Sequence, residues 1–488
     1  MRKYFLSASL FAGPTCAILV FLGLPSSYSG NGDGVFLMDE GIRVVFAVTV
    51  WMAIWWITEA VPMSVTALLP VTVFPILGVL PLSTAAEPYA HPLIFLFFAG
   101  FLVSIALQKW SLHRRFAISL LRRVGDNPTR VVGGFMLATA CLSMWLSNTA
   151  ATIMMLPIAL SIIGRHQTDR GFEKCLLLSL AYSASIGGMA TIVGTPPNLY
   201  VASYFNDILG VQIGFVDWMM IGVPCVSLLL PLAWWYLTRI HFSLPPRIKS
   251  DAGALSGDGL VWSELQRGGR ATLLVFGLLV CVWMARPWLV DIRILGFAPL
   301  SNLTDTSVAL VAAVALFLIP VDLSRRKFVL DWPDARELPW GTLILFGGGL
   351  SLANTINATG ADKIIGFWVS NLSPVSTVLM ITALVAIVVL LTEFTSNVAT
   401  TATLVPILAA ATPVLGLKQE IVIIIVALAA SCAFMLPVAT PPNAIVFGSG
   451  RIRASEMAWA GAAMNFLGLI VISVIAVNLI PTVLDFSR

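Results

Sequence analysis

The chain has 488 residues, 58% of them hydrophobic and only 11% Asp, Glu, Lys or Arg, with a mean hydropathy of +0.93 and a formal charge of +4. A soluble chain needs about 25% charged residues to cover its surface, so a water-soluble globular or disordered protein is excluded. The small basic excess is scattered over many short loops, which excludes nucleic acid as a partner.

Apolar runs long enough to cross a hydrocarbon layer of roughly 30 Å as helices recur from end to end. The first follows Met1-Arg2-Lys3-Tyr4. No A-x-A cleavage pattern comes after it, so it reads as a span over 5–24 and not as a secretory signal. Spans follow at 43–60, 62–82 and 92–109. Arg114, Arg115, Arg122 and Arg123 then mark a cytoplasmic helix lying on the membrane surface. The apolar stretch 131–163 is too long for one helix and is interrupted by a Ser-Asn pair, so it reads as a re-entrant helical hairpin. Next come a proline-broken span at 174–207, a span at 214–238 and a polar, Pro/Gly-rich cytoplasmic linker at 239–270. Spans at 271–290, 306–321 and 340–358 precede a second interrupted stretch at 374–412, a second broken span at 420–447 and a last span at 457–482.

The expected fold is therefore an all-α polytopic membrane protein of eleven transmembrane helices and two re-entrant hairpins. Residues 1–42 form an N-terminal span and loop, 43–238 a first repeat, 239–270 the linker and 271–488 a second repeat. With the N-terminus inside, 22 of the 28 Lys and Arg residues fall on cytoplasmic segments, as the positive-inside rule requires.

Two motifs recur in the same order. Ser147-Asn148-Thr149-Ala150-Ala151-Thr152 with Pro157-Ile158 matches Ser396-Asn397-Val398-Ala399-Thr400-Thr401 with Pro406-Ile407, at an offset of 249 residues. Thr195-Pro196-Pro197-Asn198 matches Thr440-Pro441-Pro442-Asn443 at an offset of 245. Each repeat holds five crossings, an odd number, so the two are inverted. Paired prolines cannot sit inside a helix, and unwound backbone at membrane depth must line a cavity or be buried in protein. Broken helices in inverted repeats are how secondary transporters build a site near the midplane. Helix N-termini after the Ser-Asn pairs suit an anion, whereas unwound carbonyls and Asn oxygens are hard ligands suited to sodium. No Lys or Arg lies at either hairpin tip or beside either Pro-Pro break, so no fixed cation meets a bound anion. The acids read at membrane depth are Glu393 and Glu59, both as structural groups, Glu393 bracing the second hairpin tip. No acid/base pair, activated nucleophile or metal cluster accompanies them, so an enzyme is not expected, and an anion channel would need a continuous polar pore in place of gated hairpins.

These motifs, with Thr58-Glu59-Ala60-Val61-Pro62, resemble the divalent-anion/sodium symporter family of sodium-coupled dicarboxylate and citrate transporters over nearly the whole chain. The resemblance implies a homodimer working as an elevator, with a scaffold of the first four and the seventh to ninth spans and a moving body of the hairpins and remaining spans. It also implies one sodium near Ser143, Ser147, Asn148 and Gly194, and a second near Thr392, Thr395, Asn397 and Ala439. The substrate carboxylates would meet Ser147, Asn148, Thr149 and Thr195 on one side and Ser396, Asn397, Val398 and Thr440 on the other. Val398 departs from the family's Ser-Asn-Thr pattern, replacing a hydroxyl with an apolar wall. The implied activity is sodium-coupled uptake of a C4 dicarboxylate in a bacterial plasma membrane, with sodium-citrate symport and sodium-independent di- or tricarboxylate exchange as alternatives.

Overall fold

The computed structural model describes residues 2–25, 27–29, 35–122, 124–125, 127–164, 169–211, 213–246, 261, 264–293, 298–369 and 376–486. Half of the linker expected at 239–270, Arg123, and the start of the stretch expected at 374–412 lie outside the described residues. What is described is almost entirely helical. Two small antiparallel sheets pair Ser27–Ser29 with Val35–Leu37 and Pro320–Asp322 with Lys327–Phe328.

Among the described residues five helices are long and apolar enough to cross a membrane: Glu40–Thr58, Leu82–Lys109, Phe215–His241, Arg267–Leu289 and Ala454–Asn478. Local chemistry sets their ends. Asp39 accepts from Ile42 N at 2.8 Å to cap the first of them, and Arg2–Gly23 packs along it, with Trp55 Nε1 donating to Leu10 O at 3.1 Å. Trp56 is fully buried and Trp234 Nε1 donates to Thr129 O at 2.9 Å, so both tryptophans serve packing. The glycines at 347–349 let Trp340–Thr359 approach its neighbours closely, Gly348 lying against the Ala67 backbone and Gly349 against Tyr200.

Three sequence expectations are corrected. The stretch 62–82 is not one helix: it folds as Met63–Thr66 and Leu69–Ile76, with a turn before Leu82–Ala86. Pro62 and Pro81 sit just ahead of helix starts and Pro70 in a first turn. Proline lacks an N–H and crowds the preceding turn, so it is favoured at helix starts, although Pro75 lies inside Leu69–Ile76. The segment 306–321 is helical only to Leu318, since Pro320–Asp322 turns into a strand. Glu59 is not inside a helix: it is the exposed cap after Thr58, in the left-handed conformation with φ 48°.

Both interrupted stretches are helix–break–helix units. The first is Pro128–Ser143 then Asn148–Gly164, and the second is Thr377–Thr392 then Asn397–Leu415. Each incoming arm has 16 residues, a length of about 24 Å that falls short of a hydrocarbon layer of about 30 Å. Both proline-broken helices are also present, as Arg170–Gly188 with Pro196–Ile208 and as Gln419–Ala430 with Pro441–Gly448.

These units interlock across the repeats. The outgoing arm Asn148–Gly164 packs on Arg170–Gly188 of its own repeat and on Pro441–Gly448 of the other. Reciprocally, Asn397–Leu415 packs on Gln419–Ala430 and on Pro196–Ile208. The long helix that follows each break closes over it with a glycine. A Cβ on Gly222 would stand 2.5 Å from Met189 O, and one on Gly461 2.2 Å from Phe434 O, so only glycine allows the helix to lie on the unwound backbone.

Candidate functional site

At each hairpin tip the helix restarts at the Asn of the Ser-Asn pair, so its first backbone N–H groups are turned toward the break. Ser143 Oγ, at the end of the first incoming arm, lies 2.6 Å from Asn148 Oδ1 and 2.7 Å from Ala184 O. In the second repeat Thr392 Oγ1 donates to Asn397 Oδ1 at 3.0 Å and lies 2.8 Å from Ala430 O. Behind each tip a threonine hydroxyl bonds the Asn carbonyl at 2.8 Å, Thr152 to Asn148 and Thr401 to Asn397. The same triangle of hydroxyl, amide and carbonyl is thus built twice.

The unwound segments repeat as well. Asn198 Nδ2 donates to Gly188 O at 3.0 Å and Thr191 O at 2.8 Å, and Asn443 Nδ2 to Ala433 O at 3.1 Å and Leu436 O at 3.0 Å. Each Asn is a staple that holds two freed carbonyls, which answers the demand that buried backbone oxygens be satisfied. Both side chains are fully buried, and with the NH₂ groups committed to carbonyls their Oδ1 atoms have no hydrogen-bond partner among the described residues. Asn198 and Asn443 are site-shaping residues absent from the sequence-derived set, although both end the repeated Thr-Pro-Pro-Asn string.

The residues expected at the first cation site converge. A Cβ on Gly188 would stand 2.4 Å from Asn148 Oδ1, and one on Gly194 2.4 Å from Gly188 O, so Ser143, Asn148 and Gly194 pack closely around the Gly188 backbone. Ser147 Oγ accepts from Ala150 N at 3.2 Å as a helix cap. At the second site Thr392 and Asn397 meet directly, and Ala439 N donates to Leu436 O, one of the stapled carbonyls. Thr395 differs: its hydroxyl turns back to Leu391 O at 3.0 Å and to Thr400, away from the Asn397 amide. Of the residues expected around the substrate, Ser147, Asn148, Thr149, Ser396, Asn397 and Val398 are all half-buried at the tips. Val398 packs against the apolar core. Thr195 and Thr440 are buried at the starts of the two helices after the breaks, where Thr440 Oγ1 caps Asn443 N at 3.3 Å.

Glu393 makes the two halves unequal. It is only 2% exposed, and its Oε1 accepts from Phe434 N at 2.7 Å, Met435 N at 2.9 Å and Asn465 Nδ2 at 2.7 Å, while Oε2 accepts from Leu436 N at 3.0 Å. The carboxylate therefore ties the second hairpin tip to the unwound segment, as the bracing role required. Position 144, its counterpart, is Met, and there the tie is Thr191 Oγ1 donating to Met144 O at 2.6 Å.

A mostly helical membrane protein in which two hairpin tips meet the unwound middles of two helices, in repeated halves, has the build of a secondary transporter. The chain belongs to the sodium:sulfate symporter family, whose transmembrane region matches residues 35–484; it is an integral, multi-pass membrane protein of a transporter family, not an enzyme. It is 38% identical over 469 residues to the sodium-dependent dicarboxylate transporter SdcS of Staphylococcus saprophyticus, covering 92% of this chain and 88% of that one. A Staphylococcus aureus transporter of the same name is 37% identical over 461 residues, covering 91% and 87%. Among solved structures, the Alcanivorax borkumensis YdaH transporter superposes with a TM-score of 0.59 at 14% identity, over 98% of this chain and 97% of that one. Neisseria gonorrhoeae MtrF does so with 0.57 at 12%, over 97% and 93%. At such identities the likeness speaks for the fold alone.

Proposed function

We propose that the protein is a sodium-coupled symporter of C4 dicarboxylates such as succinate, malate and fumarate. The observation that carries this reading is the duplicated triangle of Ser143, Asn148 and Ala184 O against Thr392, Asn397 and Ala430 O: paired sets of neutral oxygens at membrane depth, beside helix N-termini. Neutral oxygens are hard ligands for sodium, and the helix starts favour a carboxylate. The naming of the relatives as sodium-dependent dicarboxylate transporters points the same way.

In this reading the first sodium sits among Ser143, Ser147, Asn148 and Gly194, and the second among Thr392, Asn397 and Ala439, with Thr395 contributing through its backbone. The dianion bridges Ser147-Asn148-Thr149 and Ser396-Asn397-Val398, with Thr195 and Thr440 beside it. The short arms Pro128–Ser143 and Thr377–Thr392 enter the membrane and return by the same face, one hairpin from each side. With the N-terminus cytoplasmic in a bacterial plasma membrane, the eleven crossings divide into a scaffold and a moving body that carries both hairpins. Two copies of the scaffold form a homodimer, and the moving body slides as an elevator. The sodium ions supply the positive charge that no side chain provides, so substrate affinity and sodium affinity rise together.

In proteoliposomes free of internal substrate, an inward sodium gradient is expected to drive labelled succinate uptake that collapses in choline. Uptake that needs internal dicarboxylate and ignores sodium would instead identify an exchanger. Val398→Thr restores a hydroxyl at the apolar wall. Competition of succinate uptake by malate and citrate is expected to shift severalfold while expression and thermal stability stay as in the wild type; an unchanged inhibition profile would place Val398 away from the ligand.

A further inference from the structure

The cytoplasmic end of the molecule carries two adjoining cavities that the transport site does not use. The first, of about 560 Å³, lies beside the basic helix Leu112–Leu121 and is lined by Lys109, Trp110, Arg114 and Arg115. The second, of about 300 Å³, is apolar and is bounded by Phe116 and His113 of the same helix and by Trp145, two residues before the first hairpin tip. The cavities are linked by one face of helix Arg267–Leu289. Gln266 and Gly269 line the cationic cavity, and Leu273 and Phe276 the apolar one, a spacing of 3, 4 and 3 residues that keeps them on a single stripe.

Charge and polarity change along that stripe as they do along a lipid. Lys109 is already held by Asp334 at 2.7 Å and Asp331 at 3.3 Å, and Arg115 lies 3.8 Å from Glu264. Arg114 is exposed and makes no ion pair among the described residues. From Gln266 to Phe276 a helix rises about 15 Å, the scale of a headgroup and upper acyl chain. Helix Arg267–Leu289 is buried over only 17% of its most apolar stretch, so it faces the bilayer. Burial holds His113 below its ordinary imidazole value, opposed by its bond to Leu107 O and aided by Arg114, so it adds a neutral wall to the apolar crevice.

We propose that this paired cavity binds one anionic phospholipid of the cytoplasmic leaflet, its phosphate on Arg114 and Arg115 and an acyl chain along Leu273 and Phe276 to Trp145. The lipid chain then touches the hairpin that carries Ser147 and Asn148, because Trp145 and Phe276 already meet edge to face at 5.3 Å. Lipid binding there needs the chain to be embedded in a membrane with this end on the cytoplasmic side. It stands or falls separately from the choice of transported ion.

Native mass spectrometry of the full chain, offered equal amounts of phosphatidylglycerol and phosphatidylcholine, tests it without a transport assay. The wild type is expected to retain phosphatidylglycerol preferentially, and Arg114→Gln to lower that retention about fivefold, with Arg325→Gln, on an exposed loop, as the unchanged control. Equal retention of both lipids by the wild type, or no effect of Arg114→Gln, overturns the proposal. A phosphatidylglycerol carrying a photoactivatable group in its acyl chain is expected to label peptides containing Leu273 and Phe276 in the unmodified protein; labelling confined to other helices overturns it. Displacement of the lipid by free inorganic phosphate would show a site for a soluble anion and overturns it too.

Discussion

Asn148→Ala and Asn397→Ala are each expected to weaken sodium activation by about 5- to 150-fold, the equivalent of roughly 1–3 kcal/mol. Each Asn amide oxygen is the acceptor at the centre of its triangle, 2.6 Å from Ser143 Oγ and 3.0 Å from Thr392 Oγ1. Removing it takes one oxygen from the proposed cation site and leaves a buried hydroxyl without that partner. The effect is to be read as the sodium concentration for half-maximal succinate uptake, with exposed Asn478→Ala as the control. Because the triangles are separate, the two single variants are expected to produce sodium curves of lower steepness and not a uniform fall in maximal rate. Unchanged sodium curves in both variants would remove the cation sites from these positions.

The second large effect is expected at Glu393. Its carboxylate is the acceptor for three consecutive backbone N–H groups, Phe434 to Leu436, and for the Asn465 amide. Glu393→Ala leaves Met435 N, Leu436 N and Asn465 Nδ2 without this acceptor and Phe434 N with only Asn465 Oδ1 at 3.3 Å; each unpaired donor costs about 1–3 kcal/mol, so a large fall in thermal midpoint and loss of transport are expected together. Gln in the same place keeps the shape and one acceptor oxygen but turns an NH₂ toward a donor, and an intermediate midpoint is expected. Met144→Ala, at the matching position of the first repeat, leaves the backbone carbonyl that Thr191 uses and is expected to be far milder. Equal effects at 144 and 393 would show that the carboxylate is not the brace.

The repeat was legible in the sequence because the geometry demands particular residues at both copies: a hydroxyl and an amide where the hairpin turns, and Pro-Pro where the helix must restart. Asn198 and Asn443 stood in plain view within Thr-Pro-Pro-Asn, yet their task as staples depends on carbonyls 7 and 10 residues earlier that exist only once the helix unwinds. The Glu393 partners are 41 to 72 residues away, a tertiary fact with no local signature. The stretch 62–82 is not one helix because hydropathy measures apolar length, whereas Pro62, Pro70 and Pro81 set where helices restart. Thr395 enters the second site by family pattern alone; its hydroxyl bonds Leu391 O of its own turn and the Thr400 hydroxyl.

A dianion whose charge is met by helix ends and co-bound sodium, with no fixed cation, cannot bind tightly without sodium. Calorimetric titration of succinate into the purified protein, in sodium chloride and in choline chloride at equal ionic strength, tests that most directly. Tight binding in sodium that is lost in choline is the predicted result; equal affinity in the two salts would contradict it.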